Sequence, residues 1–342
     1  MPSNRLRMPR PTSAFHTVAR ALPALWRRVS LAPTEPVAAP LRRRRGTHPI
    51  TIPGDTAVSF TSEETSRYVD AAGVRIHYHE AGTGPVLLLV HGGAPGAYGW
   101  GNFGQNLEAL AQHFRTIIVD LPGYGKSDKP EVEGDRNSFY AETFLAMMDA
   151  LSIDSAHVCG LATGGGAAIT MAVSAPERIE RLILVSSMGG LPLFSTRPTE
   201  GQKVIQSYYK GDGPSEEKMR NYLSVMMYDQ ALITDDVVQD RYQASIDPEF
   251  MAKAPEGRGQ RKPDQGPPLW TLLGQVEAPT LVVWGRDNRI QGYDNALFML
   301  NQIPDVRLHI FGKTGLWVPF ERAREFEALV TGFLREDNRM GP

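Results

Sequence analysis

Short apolar runs recur along this chain at intervals that leave room for a helix between them, and this rhythm constrains the fold most. Residues 75–79 alternate apolar and polar, as a half-buried strand does. Residues 86–90 read Val-Leu-Leu-Leu-Val, a continuous run of the kind buried on both faces of a parallel sheet. Further strands are expected over 116–120, 156–160 and 182–186, with helices over 102–113, 140–151 and 164–175. Strand–helix alternation with short connections implies an α/β fold, a mostly parallel central sheet flanked by helices. The rhythm lapses at Gly189. Residues 190–268 show helical periodicity over 204–209, 216–228 and 236–244 and no convincing strand. Alternation then resumes with strands over 280–285 and 306–311 and helices over 293–303 and 322–335. A helical insertion in such a sheet is expected to be a cap above the strand C-termini, where open α/β sheets keep their sites.

The charge divides the chain in two. Residues 1–50 hold ten Arg, no Lys and one acid, Glu35, and end in the run Arg42-Arg43-Arg44-Arg45. The remainder holds 26 bases against 37 acids. Scattered Pro and low aromatic content make residues 1–58 read as a disordered extension. Residues 15–29 have the spacing of a short basic helix, but Arg20, Arg27 and Arg28 interrupt the apolar run that a secretory signal needs. An organelle presequence is the alternative, and a cytoplasmic location is the favoured expectation. Nucleic-acid binding would rest on this Arg-rich segment alone and is not expected. The expected layout is extension 1–58, core 59–189, helical cap 190–268 and core 269–342. A single Cys excludes an intrachain disulfide framework and a Cys-rich zinc site, and no metal or cofactor is expected. No stretch reads as a membrane span.

Four segments fall at the ends of expected strands. They are His91-Gly92-Gly93-Ala94-Pro95-Gly96-Ala97 with Trp100 and Asn102, then Gly160-Leu161-Ala162-Thr163-Gly164-Gly165, then Trp284-Gly285-Arg286-Asp287-Asn288-Arg289, and finally Gly315-Leu316-Trp317-Val318-Pro319-Phe320-Glu321. Together with Asp120-Leu121-Pro122-Gly123-Tyr124-Gly125-Lys126-Ser127-Asp128 and the stretch 227–234, they resemble the α/β-hydrolase fold. More narrowly they resemble the meta-cleavage-product hydrolases, which break a C–C bond in vinylogous 1,5-diketones. The resemblance runs from about Ser66 to Leu334. It implies a nucleophile elbow at Gly160-x-Ala162-x-Gly164, an acid at Asn288 and a base at Leu316. It further implies oxyanion donors at the backbone of Gly93 and Thr163, and ligand-carboxylate or enolate contacts at Asn102, Arg241 and Trp317. Many such proteins assemble, so a homodimer is a resemblance-level expectation.

The side chains depart from that pattern where chemistry needs them. Ala162 has no oxygen, Leu316 cannot move a proton, and Asn288 is not a carboxylate. The eight His are 16, 48, 77, 79, 91, 113, 157 and 309, so none follows the last strand. Loss of one nucleophile or base costs about 10⁶ in kcat in a serine protease. Asp287, one position early, is the candidate substitute acid. Thr163 lies past the elbow apex, with its side chain expected to point elsewhere. Cys159 and His309 read as strand residues, and His91 as a structural hydrogen-bonding residue of the first loop.

These departures make a non-hydrolytic enzyme, of cyclase, isomerase or lyase type, the favoured expectation, acting on an enone, enolic or carboxylate-bearing small molecule. The alternatives are a catalytically silent ligand-binding protein and a residual C–C or ester hydrolase working without a standard triad.

Overall fold

The computed structural model describes residues 60–132, 134–253 and 265–336. Residues 1–58, with the expected basic helix, lie outside the described residues. Eight strands form one sheet: β1 (Ser66–Ala71), β2 (Val74–Ala81), β3 (Val86–Val90), β4 (Arg115–Val119), β5 (Ala156–Leu161), β6 (Ile179–Val185), β7 (Thr280–Gly285) and β8 (Val306–Phe311). Their spatial order is β1-β2-β4-β3-β5-β6-β7-β8. The pairs β1–β2 and β2–β4 are antiparallel and all later pairs are parallel.

Why the sheet is covered on both faces is visible in single strands. Successive residues of a strand point to opposite faces. Leu88 and Val90 of β3 pack into one core, and Leu87 and Leu89 into the other. Val158 and Cys159 of β5 divide in the same way, as do Leu184 and Val185 of β6. The first core is closed by α4 (Arg136–Ala150), α5 (Thr163–Ser174) and α10 (Asp294–Gln302), through Phe144, Met171 and Met299 among others. The second is closed by α3 (Leu107–Ala111) and α12 (Ala323–Arg335), through Leu107, Leu110, Phe326 and Val330.

Between β6 and β7 the described residues form α6 (Glu200–Ser207), α7 (Glu216–Met226), α8 (Asp235–Ser245) and α9 (Pro248–Lys253), and no strand. Their starts are set by side chains that accept the first orphan N–H groups. Thr199 caps α6, Ser215 caps α7 and Thr234 caps α8. Met219, Tyr222 and Leu223 of α7 and Val238 of α8 extend the second core.

Three elements differ from the sequence expectation. The helix expected over 102–113 is broken into α2 (Gly99–Phe103), a 3₁₀ turn (Gly104–Asn106) and α3. Phe103, at φ −131° and ψ −3°, interrupts the helical path, and the Asn106 amide donates to Pro319 O at 3.1 Å and to Glu327 Oε1 at 2.8 Å. A short helix α1 (Ser62–Thr65) and strand β1 precede the first expected strand. β1 lacks an apolar run and is defined by its pairing with β2. The last helix is preceded by a separate turn, α11 (Val318–Glu321), which contains Pro319. Among the described residues no helix is long and apolar enough to cross a membrane.

Candidate active site

β5 passes into α5 through a sharp turn whose apex is Ala162. Its φ of 48° and ψ of −108° lie where a residue with a Cβ is strained, at about 1–3 kcal/mol. The surroundings enforce that conformation. Ala162 N–H donates to Val185 O at 3.0 Å, and Ala162 O accepts from Gly165 N–H at 3.1 Å and Met188 N–H at 3.0 Å. The strand and helix approach so closely that a Cβ on Gly160 would collide with the Gly164 carbonyl, and one on Gly164 with Val90 O. The Ala162 methyl faces the first loop, lying 3.3 Å from where a Cβ on Gly92 would stand.

That loop is held from below by His91, which is fully buried. His91 Nε2 accepts from Leu121 N–H at 2.9 Å, so the proton sits on Nδ1, which donates to Gly92 O at 2.6 Å. This is the structural hydrogen bonding the sequence suggested. Tyr124 donates its hydroxyl to Gly93 O at 2.8 Å. A Cβ at Gly93 would lie 2.8 Å from Thr163 Oγ1. The Thr163 side chain therefore points at the loop, contrary to expectation, because it opens α5 directly beneath it. As the first residue of the helix, its N–H has no intrahelical acceptor.

Arg241 on α8, Asn102 on α2 and Trp317 are brought together. The guanidinium stacks on the Trp317 ring at 4.1 Å. Nη2 donates to Asn102 Oδ1 at 3.3 Å and to Gly101 O at 3.5 Å, and Nη1 to Gly96 O at 3.4 Å. Trp317 Nε1 donates to Asn102 O at 3.2 Å. Arg241 is 2% exposed, and its Nε has no acceptor. No carboxylate pairs with it among the described residues. The adjacent Asp240 instead accepts the Tyr98 hydroxyl at 2.6 Å. Burial pushes the Arg241 pKa down, against the opposing pull of Tyr222, Tyr98 and Asp240. A buried cation without a counter-ion is costly, and a bound carboxylate would relieve it. A cavity of about 280 Å³, lined by Tyr98, Trp100, Asn102, Arg241, Trp317 and Phe320 among others, reaches this cluster. Ala162 and Gly93 do not line it.

Asn288 is buried and acts as a loop cap. Its Oδ1 accepts from Ile290 and Gln291 N–H at 2.9 Å each, and its Nδ2 donates to Ser186 Oγ at 3.3 Å. Asp287 pairs with the exposed Arg286 at 3.4 Å. Leu316 is 7% exposed, and its N–H donates to Met226 O at 2.8 Å. Glu321 was not singled out by sequence reasoning, yet it ties this loop to the segment after α7. Its Oε1 accepts from Gly315 N–H at 2.8 Å, and its Oε2 from Tyr228 and Asp229 N–H at 2.7 and 3.1 Å. Burial raises its carboxyl pKa despite these donors. Only its place at the end of a turn next to Gly315 hinted at that task. Cys159 is buried, and burial pushes its thiol pKa up, as expected of an inert core cysteine.

A family model described as the alpha/beta hydrolase fold matches residues 85–323. The chain is 37% identical over 292 residues to a 2-hydroxy-6-oxononadienedioate/2-hydroxy-6-oxononatrienedioate hydrolase of Burkholderia vietnamiensis, covering 82% of this chain and 99% of that relative. It is 36% identical over 289 residues to a 2-hydroxy-6-oxo-6-phenylhexa-2,4-dienoate hydrolase of Comamonas testosteroni, covering 81% and 99%. Among solved structures it is similar to a serine-to-alanine variant of a meta-cleavage product hydrolase from Pseudomonas fluorescens IP01, complexed with acetates. The TM-score there is 0.71 at 33% identity, covering 81% of this chain and 100% of that one. These likenesses overturn the expectation of cyclase, isomerase or lyase chemistry and of silent ligand binding, because the relatives are named hydrolases. That expectation weighed three side chains, whereas the likeness spans the whole core. Backbone oxyanion donors also serve hydrolysis whatever side chain stands at the elbow.

Proposed function

The chain belongs to the α/β-hydrolase fold family, and we propose that it hydrolyses a C–C bond in a ring-opened, carboxylate-bearing dienone of the 2-hydroxy-6-oxo-dienoate class. The observation that carries this reading is Arg241, a buried guanidinium without a carboxylate partner among the described residues, stacked on Trp317 and bonded to Asn102. Such a group suits a ligand carboxylate, whose charge would balance the buried guanidinium. The names of the relatives supply the hydrolytic direction.

Ala162, Asn288 and Leu316 are read as the positions of nucleophile, acid and base, and none carries the group. In this reading a bound water replaces the side-chain nucleophile. The N–H groups of Gly93 and Thr163 hold the 6-oxo oxygen while water adds to that carbon. The 2-hydroxyl proton has by then moved to C5, giving the 2-oxo tautomer, so that when the C5–C6 bond breaks its electron pair passes through the C3–C4 alkene into the 2-oxo group. One water proton ends on the dienol fragment, and the other leaves the new carboxylic acid. An oxyanion hole with binding alone retains about 10³–10⁴-fold catalysis over water in a serine protease, and that is the scale expected here. The helices between β6 and β7 serve as the cap over this site, since α8 supplies Arg241.

The test incubates the full chain with 2-hydroxy-6-oxo-6-phenylhexa-2,4-dienoate in ¹⁸O-water. Benzoate carrying one labelled oxygen is expected to form faster than in buffer. Arg241→Gln is expected to raise KM at least about tenfold, the loss of a charged hydrogen bond. A product of unchanged mass, or no benzoate above the buffer rate, overturns the proposal.

A further inference from the structure

A second set of chemistry-bearing residues lies outside the elbow, at the β1 edge of the sheet. Ser66 opens β1, His77 lies on β2 and Asp120 follows β4. His77 Nδ1 is 2.8 Å from Asp120 Oδ2, and His77 Nε2 is 2.8 Å from Ser66 Oγ. The carboxylate is fixed in place, because Oδ1 accepts from Gly99 N–H at 2.6 Å and Oδ2 also accepts from Lys126 N–H at 2.9 Å. Burial alone would raise the Asp120 carboxyl pKa, but the hydrogen bond from His77 and the neighbouring His91 outweigh it and hold it below the ordinary value. An ionised Asp120 keeps the proton on Nδ1, so the Nε2 lone pair faces the Ser66 hydroxyl. That is the order of roles by which a serine is activated: hydroxyl, base, orienting acid.

The surroundings hold this geometry. His77 N–H donates to Ser127 Oγ at 2.9 Å, and that hydroxyl donates to Asp120 O at 2.8 Å. His77 and Asp120 are each 1% exposed, whereas Ser66 is only half-buried. Among the described residues β1 ends the sheet, so no further described strand lies on the flank of Ser66 away from β2. Arg67 brings a guanidinium beside it, with Nη1 donating to Ser66 O and to Glu64 O at 2.8 Å each.

We propose that Ser66 is a covalently reactive serine, which accepts acyl or phosphonyl groups from small activated aryl esters and fluorophosphonates. With an aryl ester, Ser66 Oγ adds to the carbonyl carbon while His77 Nε2 takes the hydroxyl proton. The aryloxide leaves with that proton, giving a Ser66 ester and a free phenol. Water activated by His77 then releases the carboxylic acid and restores the serine. With a fluorophosphonate, fluoride leaves with the proton and the phosphonyl group stays on Oγ. This site is independent of the ring-fission reaction.

Ala162 simplifies the test, since the apex of the elbow offers such a probe no hydroxyl, and peptide mapping separates Ser66 from the neighbouring Thr163. The full chain is treated with an aryl-free alkyl fluorophosphonate and mapped by peptide mass spectrometry. One label per chain is expected, on Ser66 and absent from Ser66→Ala, which should leave C–C hydrolysis unchanged. His77→Gln should slow labelling at least about 100-fold, the usual contribution of a positioned base. Unfolding the native chain in urea should slow it equally, a measurement that holds even where His77→Gln does not fold. Absence of label on Ser66, or a labelling rate that neither His77→Gln nor urea reduces, overturns the proposal.

Discussion

Ala162 holds a strained backbone that a sharp strand-to-helix turn imposes, but its methyl group offers nothing to a substrate carbonyl. The strain is retained by three backbone hydrogen bonds and by glycines that admit the close approach, so the turn does not depend on its side chain. That independence makes reversion informative. Ala162→Ser, Asn288→Asp and Leu316→His together are expected to raise the rate of benzoate formation at least about 100-fold, a small part of what a working triad supplies. The single substitutions should each do little, because the members of a triad act as a unit. A triple variant that binds substrate yet stays at the parental rate would show that these are not the triad positions. The glycines of the turn and the alanine at its apex were legible in the sequence. The direction of the Thr163 side chain was not, since it depends on where the first loop crosses the start of α5.

At the scale of elements, β5 and α5 are joined with almost no clearance. Gly164→Ala would drive a methyl group into Val90 O on the neighbouring strand. It is expected to cost about 2–3 kcal/mol, read as a lower urea midpoint at an unchanged m-value, with the whole sheet as the casualty. A midpoint within error of the parent would mean that the strand and helix are less tightly joined than described. The apolar runs of β3, β5 and β7 were readable because burial on both faces leaves few polar positions in them, His157 in β5 and Thr280 in β7. β1 was not, because an edge strand with exposed positions has no hydrophobic signature and forms through pairing. The break between α2 and α3 was likewise hidden, since its cause is Asn106 bonding to Pro319 and Glu327 more than two hundred residues away.

The stability of the whole molecule should depend on pH through His79, which packs on Trp100 at 4.7 Å beside His77 and bonds to Thr65 Oγ1 at 3.0 Å. Burial, reinforced by His77, lowers its pKa from 6.5 to about 4. Above 6.5 it is neutral in both folded and unfolded chains and the stability is complete. As pH falls from 6.5 towards 4, the unfolded chain takes up a proton that the folded chain refuses, and stability falls by about 2–3 kcal/mol. Urea titrations at pH 7.5 and 4.5 should show this loss in the parent and a smaller one in His79→Gln. Equal losses in the two chains would remove His79 as the cause.

The alternation of strands and helices, the helical stretch between two parts of the sheet, and the residue types at the strand ends all follow from the order of amino acids alone. Those are local properties, written in periodicity and in which side chains fit a turn. It took the packing of distant elements to bring Asn102, Arg241 and Trp317 together around a guanidinium with no carboxylate partner among the described residues, and to join Ser66, His77 and Asp120 in a hydrogen-bonded chain. The residues of each set come from separate elements, and their distances follow from how the sheet orders its strands and how helices pack on it. No spacing along the chain encodes that.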